Sequence, residues 1–281
     1  MAWGTVAGST IVDGEVRWNR RKTPPGRRLQ DQVVVVTGAS RGFGRLIALA
    51  AAEEGADLVI TYVKNEQKAQ DVARAIRAMD RRCTVVQADI AVLADVKRLA
   101  DETWKAYGRC DVLINNAGET AASKMSWRDL SEPVIDHILD MDIKGTMFCT
   151  HVFGERMLDE QKAGNIVNIG SNVIATGSPR APEYAAAKYG ILGITKSYAL
   201  AFAPYVRVNF AAPGYMDTES LNERKDWTPA RRKFVVDNTP LKAIGDPANL
   251  VPVVLFLASE DSLHMTGNTV TCDGGFSMPG A

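Results

Sequence analysis

Tyr184 and Lys188 stand four residues apart in Tyr184-Ala185-Ala186-Ala187-Lys188, and Ser171 lies thirteen residues before the tyrosine. On a helix, positions i and i+4 share one face, so this spacing holds a phenol beside an ammonium. The ammonium favours the phenolate, turning a weak acid into a group able to donate or accept a proton near neutral pH. Such pairs also occur on ordinary solvated helix faces, so the surrounding elements must decide whether this one does chemistry.

The first such element is a strand. Val33-Val34-Val35-Val36 is a β-branched run, as expected of a strand buried on both faces of a parallel sheet. Thr37-Gly38-Ala39-Ser40-Arg41-Gly42-Phe43-Gly44 follows at once, and Leu46, Ile47, Leu49 and Ala50 then begin a helical pattern that stops near Gly55. Strand, glycine turn and helix make a phosphate cradle, because small residues let the backbone approach a pyrophosphate and the helix N-terminus offers free N–H groups. A P-loop would end in Gly-Lys-Ser/Thr, which Phe43-Gly44-Arg45 does not supply. The glycine spacing also differs from the common G-x-G-x-x-G dinucleotide fingerprint.

That spacing resembles the short-chain dehydrogenase/reductase family, and the resemblance runs from about residue 31 to 276. It includes Asp111-Val112-Leu113-Ile114-Asn115-Asn116-Ala117-Gly118 and Gly164-Asn165-Ile166-Val167-Asn168-Ile169-Gly170-Ser171. Arg207-Val208-Asn209, Pro213-Gly214 with Thr218, Thr266-Gly267 and Asp273-Gly274-Gly275 continue it. The resemblance implies a doubly wound parallel α/β sheet, the Rossmann fold, of about seven strands with helices on both faces. It implies one dinucleotide-binding oxidoreductase domain over 31–281, containing the substrate site and a mobile lid at about 215–240. The general layout is similar to 3-oxoacyl carrier-protein reductases.

Composition agrees with an ordinary soluble protein: 281 residues, 46% hydrophobic, with 33 basic and 33 acidic side chains. Zero net charge gives no general attraction to nucleic acid or an anionic membrane. No apolar stretch approaches membrane-spanning length, and the start lacks a signal-peptide core. Cys83, Cys110, Cys149 and Cys272 read as reduced, near-core residues of a cytoplasmic protein. His137, His151 and His264 lack metal-ligand spacing, so no metal is expected.

Strand-like segments at 33–37, 57–62, 83–87, 111–114, 165–169, 206–210 and 268–272 alternate with helical patterns, including 66–79, 92–106 and 247–258. Residues 1–30 stand apart: Asp13-Gly14 between β-branched residues signals a hairpin, and residues 20–28 read as a basic linker. The helix over 183–204 is apolar around much of its circumference, so one face is expected on the sheet and the other against a second subunit. Family members commonly form dimers or tetramers through this helix and the preceding long one.

The resemblance assigns the site. A nicotinamide exchanges hydride with a carbonyl carbon, Tyr184 donates the proton to its oxygen, Ser171 hydrogen-bonds that oxygen, and Lys188 supports Tyr184 and holds the nicotinamide ribose. Gly38, Ser40, Arg41, Gly42, Phe43 and Gly44 form the cofactor loop. Asn116, Ala117 and Gly118 line the cofactor, Asp89 and Ile90 lie at its adenine, and Pro213, Gly214 and Thr218 lie at its nicotinamide end. One position departs from the family, which usually has asparagine before Lys144-Gly145-Thr146 in the proton relay to lysine; this chain has Asp142. If the main-chain carbonyl does the work, the change is mild. If the carboxylate approaches Lys188, it offsets the ammonium.

The second strand runs into Thr61-Tyr62-Val63-Lys64-Asn65 without an acid for ribose hydroxyls. Arg41 and Lys64 could pair with a 2′-phosphate, so NADP(H) is favoured over NAD(H). The substrate is a small carbonyl or alcohol. Its expected walls are Glu119, Thr120, Asn172, Val173, Arg180, Tyr215 and Met216, with segment 219–240 including Trp227. Arg180 and Lys124 either welcome an anion or are surface charges.

Two other functions compete. A serine hydrolase needs a G-x-S-x-G elbow, which Gly170-Ser171-Asn172 lacks. A nucleotide-sensing protein that keeps the fold without turnover is the alternative that Asp142 leaves open.

Overall fold

The computed structural model describes residues 9–12, 15–18, 27–118, 127–160 and 162–278. Strands β1 (Ser9–Val12) and β2 (Glu15–Trp18) pair antiparallel with Val12 opposite Glu15, on either side of the predicted hairpin corner. The corner residues Asp13 and Gly14, and the predicted linker up to residue 26, lie outside the described residues.

Seven further strands form one sheet: β3 (Val33–Val36), β4 (Asp57–Tyr62), β5 (Cys83–Gln87), β6 (Val112–Asn115), β7 (Gly164–Ile169), β8 (Val206–Pro213) and β9 (Thr269–Cys272). Their order is β5-β4-β3-β6-β7-β8-β9, and every neighbouring pair is parallel. This is the doubly wound Rossmann sheet that the alternating pattern predicts. β8 runs past its predicted end because Ala211, Ala212 and Pro213 continue the ladder against Val270, Thr271 and Cys272.

Period-two packing explains the two layers of helices. Val34 and Val36 of β3 face a core shared with α1 (Gly42–Glu53), α2 (Glu66–Arg77) and α10 (Val251–Ala258). Val35 faces the opposite core, filled by α3 (Leu93–Tyr107), α5 (Thr146–Asp159) and the end of α7 (Pro182–Ala201). α7 stops before the predicted 204 because the residue preceding Pro204 is disfavoured in a helix.

The strand order reverses between β3 and β6, and ligands of such sheets bind beyond the carboxyl ends at that point. Cys83, Cys110 and Cys149 are buried free thiols, and burial pushes Cys83 and Cys149 up to about 12. Among the described residues no helix is long and apolar enough to cross a membrane.

Candidate active site

The glycine loop leaves β3 at the switch point. Gly38 and Gly42 have φ of +64° and +58°, the left-handed region that glycine enters without strain. Gly44 is required for a different reason, since a Cβ there would lie 2.5 Å from both Gly38 O and Asn116 Nδ2. Neighbouring strands pin the loop. The Gly38 N–H donates to Thr61 Oγ1 (2.9 Å) at the end of β4. Beyond β6, Asn116 Nδ2 donates to Thr37 O (2.9 Å) and Gly38 O (3.2 Å). The N–H groups of Asn116 and Ala117 donate to Thr37 Oγ1 at 3.0 and 2.9 Å. α1 then begins at Arg41 without a side-chain cap, so its N-terminal N–H groups fit an anionic ligand. The residues present therefore fit a dinucleotide pyrophosphate.

Around that cradle, Ser40 is half-buried while Arg41 and Lys64 are exposed. Asp89 lies just beyond β5, where its Oδ1 accepts the Ala91 N–H at 3.0 Å. Ile90 is buried against Gly145.

The opposite wall rests on α7. Helix α4 (Glu132–Ile138) passes through a π-helical stretch, Leu139–Gly145, before α5. π-turns inside helices often mark functional positions, and here the widened turn carries Asp142. Its carboxylate is 2.8 Å from Lys188 Nζ, with side chains 0% and 6% exposed. Lys188 Nζ in turn lies 5.3 Å from the Tyr184 ring centroid. Two glycines permit this packing. A Cβ on Gly118 would come within 2.8 Å of Asp142 Oδ1 and 3.3 Å of Lys188 Nζ; one on Gly190 would meet Ile143 Cδ1 at 2.7 Å. Of the two sequence-level possibilities for Asp142, the structure has the carboxylate on Lys188.

A buried polar chain anchors α7 to the sheet. Asn115 Nδ2 donates to Thr150 Oγ1 (3.0 Å) and Asn168 Oδ1 (2.8 Å), and Asn168 Nδ2 donates to Thr195 Oγ1 (2.9 Å). Sequence reasoning missed this chain, although an asparagine inside a doubly buried strand needs a partner and was a usable signal. Ser171 follows β7, buried, with its Oγ accepting the Val173 N–H at 3.3 Å. Asn172 ties the strand ends together: its N–H donates to Pro213 O (2.9 Å) and its Nδ2 to Asp273 Oδ2 (3.2 Å).

Between these walls is a cavity of about 420 Å³. Ser171, Tyr184 and Lys188 line it together, with Phe43, Asn116 and Gly118 on the cofactor-loop side. Pro213 at the end of β8, and Gly214 and Thr218 beyond it, border it; the Thr218 hydroxyl also caps α8 (Glu219–Asn222) by accepting the Leu221 N–H at 3.1 Å. Asn172, Val173, Arg180, Tyr215 and Met216 line it as expected of substrate walls. The segment 219–240 contributes Leu221, Arg224, Arg231 and Phe234. Trp227 is one layer back, stacked on Tyr215 with centroids 5.6 Å apart. Around the expected Arg180, residues 176–179 and Ala181 also line it unforeseen, as does Phe276, and Glu119, Thr120 and Lys124 lie outside the described residues.

The cavity's outer wall is latched. Asp226 accepts from Arg224 Nε and Nη2 (2.8 and 2.9 Å) and from Arg180 Nη1 (2.9 Å), joining the loop before α7 to the segment before α9 (Pro229–Asn238). Burial pushes the Asp226 carboxyl up, but the hydrogen bonds and charges of Arg224 and then Arg180 outweigh it and hold it below its ordinary value.

This layout, a dinucleotide cradle facing a tyrosine–lysine wall, is that of a nicotinamide-dependent oxidoreductase. A family model described as Enoyl-(Acyl carrier protein) reductase matches residues 38–277. The chain belongs to the short-chain dehydrogenase/reductase family, whose members of this kind act on CH–OH or C=O groups with NAD(P). It is 35% identical over 245 residues to the 3-oxoacyl-(acyl-carrier-protein) reductase FabG of Staphylococcus epidermidis, covering 87% of this chain and 98% of that one. A 3-oxoacyl-(acyl-carrier-protein) reductase of Synechocystis is 34% identical over 255 residues, covering 89% and 98%. The solved structure of levodione reductase superposes with a TM-score of 0.83 at 27% identity, covering 90% of this chain and all of that one.

Proposed function

We propose that the protein is an NADP(H)-dependent ketone reductase, or in reverse a secondary-alcohol dehydrogenase, with Tyr184 as general acid and base. The observation that carries this reading is that Ser171, Tyr184 and Lys188 line one cavity that continues to the glycine loop. The nicotinamide, when bound, supplies or removes the hydride. Gly38, Ser40, Gly42, Phe43 and Gly44 hold the pyrophosphate side, Asp89 and Ile90 the adenine, and Asn116, Ala117, Gly118, Pro213, Gly214 and Thr218 the remainder. Ser171 hydrogen-bonds the substrate oxygen, and Tyr184 passes its proton to that oxygen or takes it back. Lys188 favours the phenolate and holds the ribose hydroxyls. Asp142 orients the ammonium and cancels part of its charge at Tyr184.

The preference for NADP(H) is supported by two exposed cations at the right end of the sheet, Arg41 and Lys64, and by the absence of an acid in β4 beyond Asp57. The substrate is a small carbonyl or alcohol. We place the enzyme in the cytoplasm as a homodimer or homotetramer, with 31–281 as its catalytic domain. Met147 of α5 and Tyr189 and Leu200 of α7 are exposed by 41, 48 and 83%, which supports a second copy on this face. The two relatives from Staphylococcus epidermidis and Synechocystis are named for carrier-linked 3-oxoacyl groups. Here the end of α7 reads Ala203-Pro204-Tyr205, without the basic residue that often docks a carrier.

Consumption of NADPH by purified protein with 3-oxoacyl thioesters, cyclic ketones, sugars, steroids and quinones tests the reading. It predicts turnover of at least one class and weaker activity with NADH. NADPH binding without consumption across the panel would contradict it.

A further inference from the structure

The cavity's described lining contains four cationic side chains, Arg180, Lys188, Arg224 and Arg231, and no carboxylate. Two carboxylates pair with these cations from behind the lining, Asp142 with Lys188 and Asp226 with Arg180 and Arg224, while a third, Asp273, is held by Asn172. The carboxylate shared by Arg180 and Arg224 is buried, with a side chain 4% exposed. A single charge therefore holds two guanidinium groups in place. Arg231 has a neutral partner instead: its Nη2 donates to the Tyr215 hydroxyl at 2.9 Å, and its guanidinium lies 5.7 Å from the Phe234 ring centroid. Among the described residues Arg231 pairs with no carboxylate. Arg231 is thus the half-buried lining cation left without a carboxylate among the described residues, and it is aimed at an aromatic-lined cavity where an anion can meet it.

We infer that the substrate is a ketone or alcohol bearing an oxyanion group, a carboxylate or a phosphate ester, which Arg231 binds within the positive wall completed by Arg180 and Arg224. A planar guanidinium fork matches either group in bidentate fashion. The pinned glycine loop and the uncapped α1 N-terminus provide separately for the cofactor's pyrophosphate, so the lid arginines are left to the substrate. Asp226 positions Arg180 and Arg224 and itself stays out of the cavity lining. The inference rests on the reductase reading for the substrate's carbonyl but concerns binding, so it can be tested without turnover.

The test is calorimetric titration of the full-length protein, saturated with NADP+, with matched probes. These are C4–C8 oxocarboxylates against their methyl esters, and dihydroxyacetone phosphate against dihydroxyacetone. At least one charged probe should bind about tenfold more tightly than its neutral partner, the scale of one charge-assisted hydrogen bond. Preference in the first pair identifies a carboxylate, and in the second a phosphate. Arg231→Met should abolish the preference with NADP+ affinity unchanged, and Arg231→Lys should restore part of it; thermal melts of both check folding. Equal binding of charged and neutral probes in the wild type would overturn the inference. So would a preference that survives Arg231→Met, or a matching loss of NADP+ affinity, which would assign Arg231 to the cofactor. If charged probes bind as expected but no oxo acid consumes NADPH, the reductase reading fails and the anion site stands. If neutral ketones are reduced with no preference for charge, the reverse holds.

Discussion

On one side of the cavity, Tyr184 and Lys188 stand on a 20-residue helix fixed by buried amides and a fully buried carboxylate. On the other, Arg224 and Arg231 stand beside or on helices of four and ten residues; Arg224 is held by an ion pair to Asp226, and Arg231 by a hydrogen bond to the Tyr215 hydroxyl. Side chains there remain open to water, with Phe234 52% exposed. On the proposed function, the difference separates two tasks. Proton transfer needs groups fixed to a fraction of an ångström, which a close-packed interior provides. Admitting a substrate needs a wall that can yield, and elements with few buried contacts open most easily. We therefore expect substitutions in the first wall to change turnover, and those in the second to change affinity and local order.

The sharpest break of this division is Lys188→Met. It should lower kcat/KM by about 10³-fold and reduce stability by about 3 kcal/mol, because it strands a buried Asp142 carboxylate. Adding Asp142→Asn should recover the stability in denaturant unfolding but not the turnover. Recovery of both would show that Lys188 only balances charge.

Asp226→Asn should raise KM about tenfold with little change in kcat, and lower stability by about 2 kcal/mol, discounted because the Arg180 side chain is 37% exposed. The Asp226 carboxyl is held below 3.8, so its contribution is complete above that value and is lost as pH falls through the lower folded value. The gap between wild-type and variant melting temperatures should accordingly narrow below about pH 4. A constant gap would mean that the latch is not ionic.

Arg41→Glu sharpens the comparison at the cofactor end. NADPH affinity should fall about tenfold or more and NADH affinity less than about threefold; equal losses would discredit the 2′-phosphate assignment. The smallest effect on turnover expected is that of Asp142→Asn. It should keep or improve turnover and move the pH profile down, and an unchanged profile in a folded variant would reject the electrostatic role.

The contrast between the walls also marks what was legible in the sequence. Val33–Val36, the turn to Gly44 and Tyr184-x-x-x-Lys188 carry local signals, namely burial on both faces, forced backbone shape and helical spacing. From these the sheet, the cradle and the groups proposed to react could be read. Asp142 was visible as a departure, but only the fold shows its carboxylate at Lys188. The latch was hidden because Glu223-Arg224-Lys225-Asp226 looks like a solvated charge run. Its partner Arg180 is 46 residues away in the chain, and no local pattern encodes such a pairing. Trp227, a substrate wall by its place in segment 219–240, instead supports Tyr215 from behind.

The most direct test compares wild type with Tyr184→Phe for NADPH binding and for NADPH consumption with a ketone that the wild type reduces. The account predicts unchanged NADPH affinity and melting temperature with turnover lowered by about 10³-fold or more. Turnover within about tenfold of wild type in the folded variant would contradict it, because the proton would then come from another group.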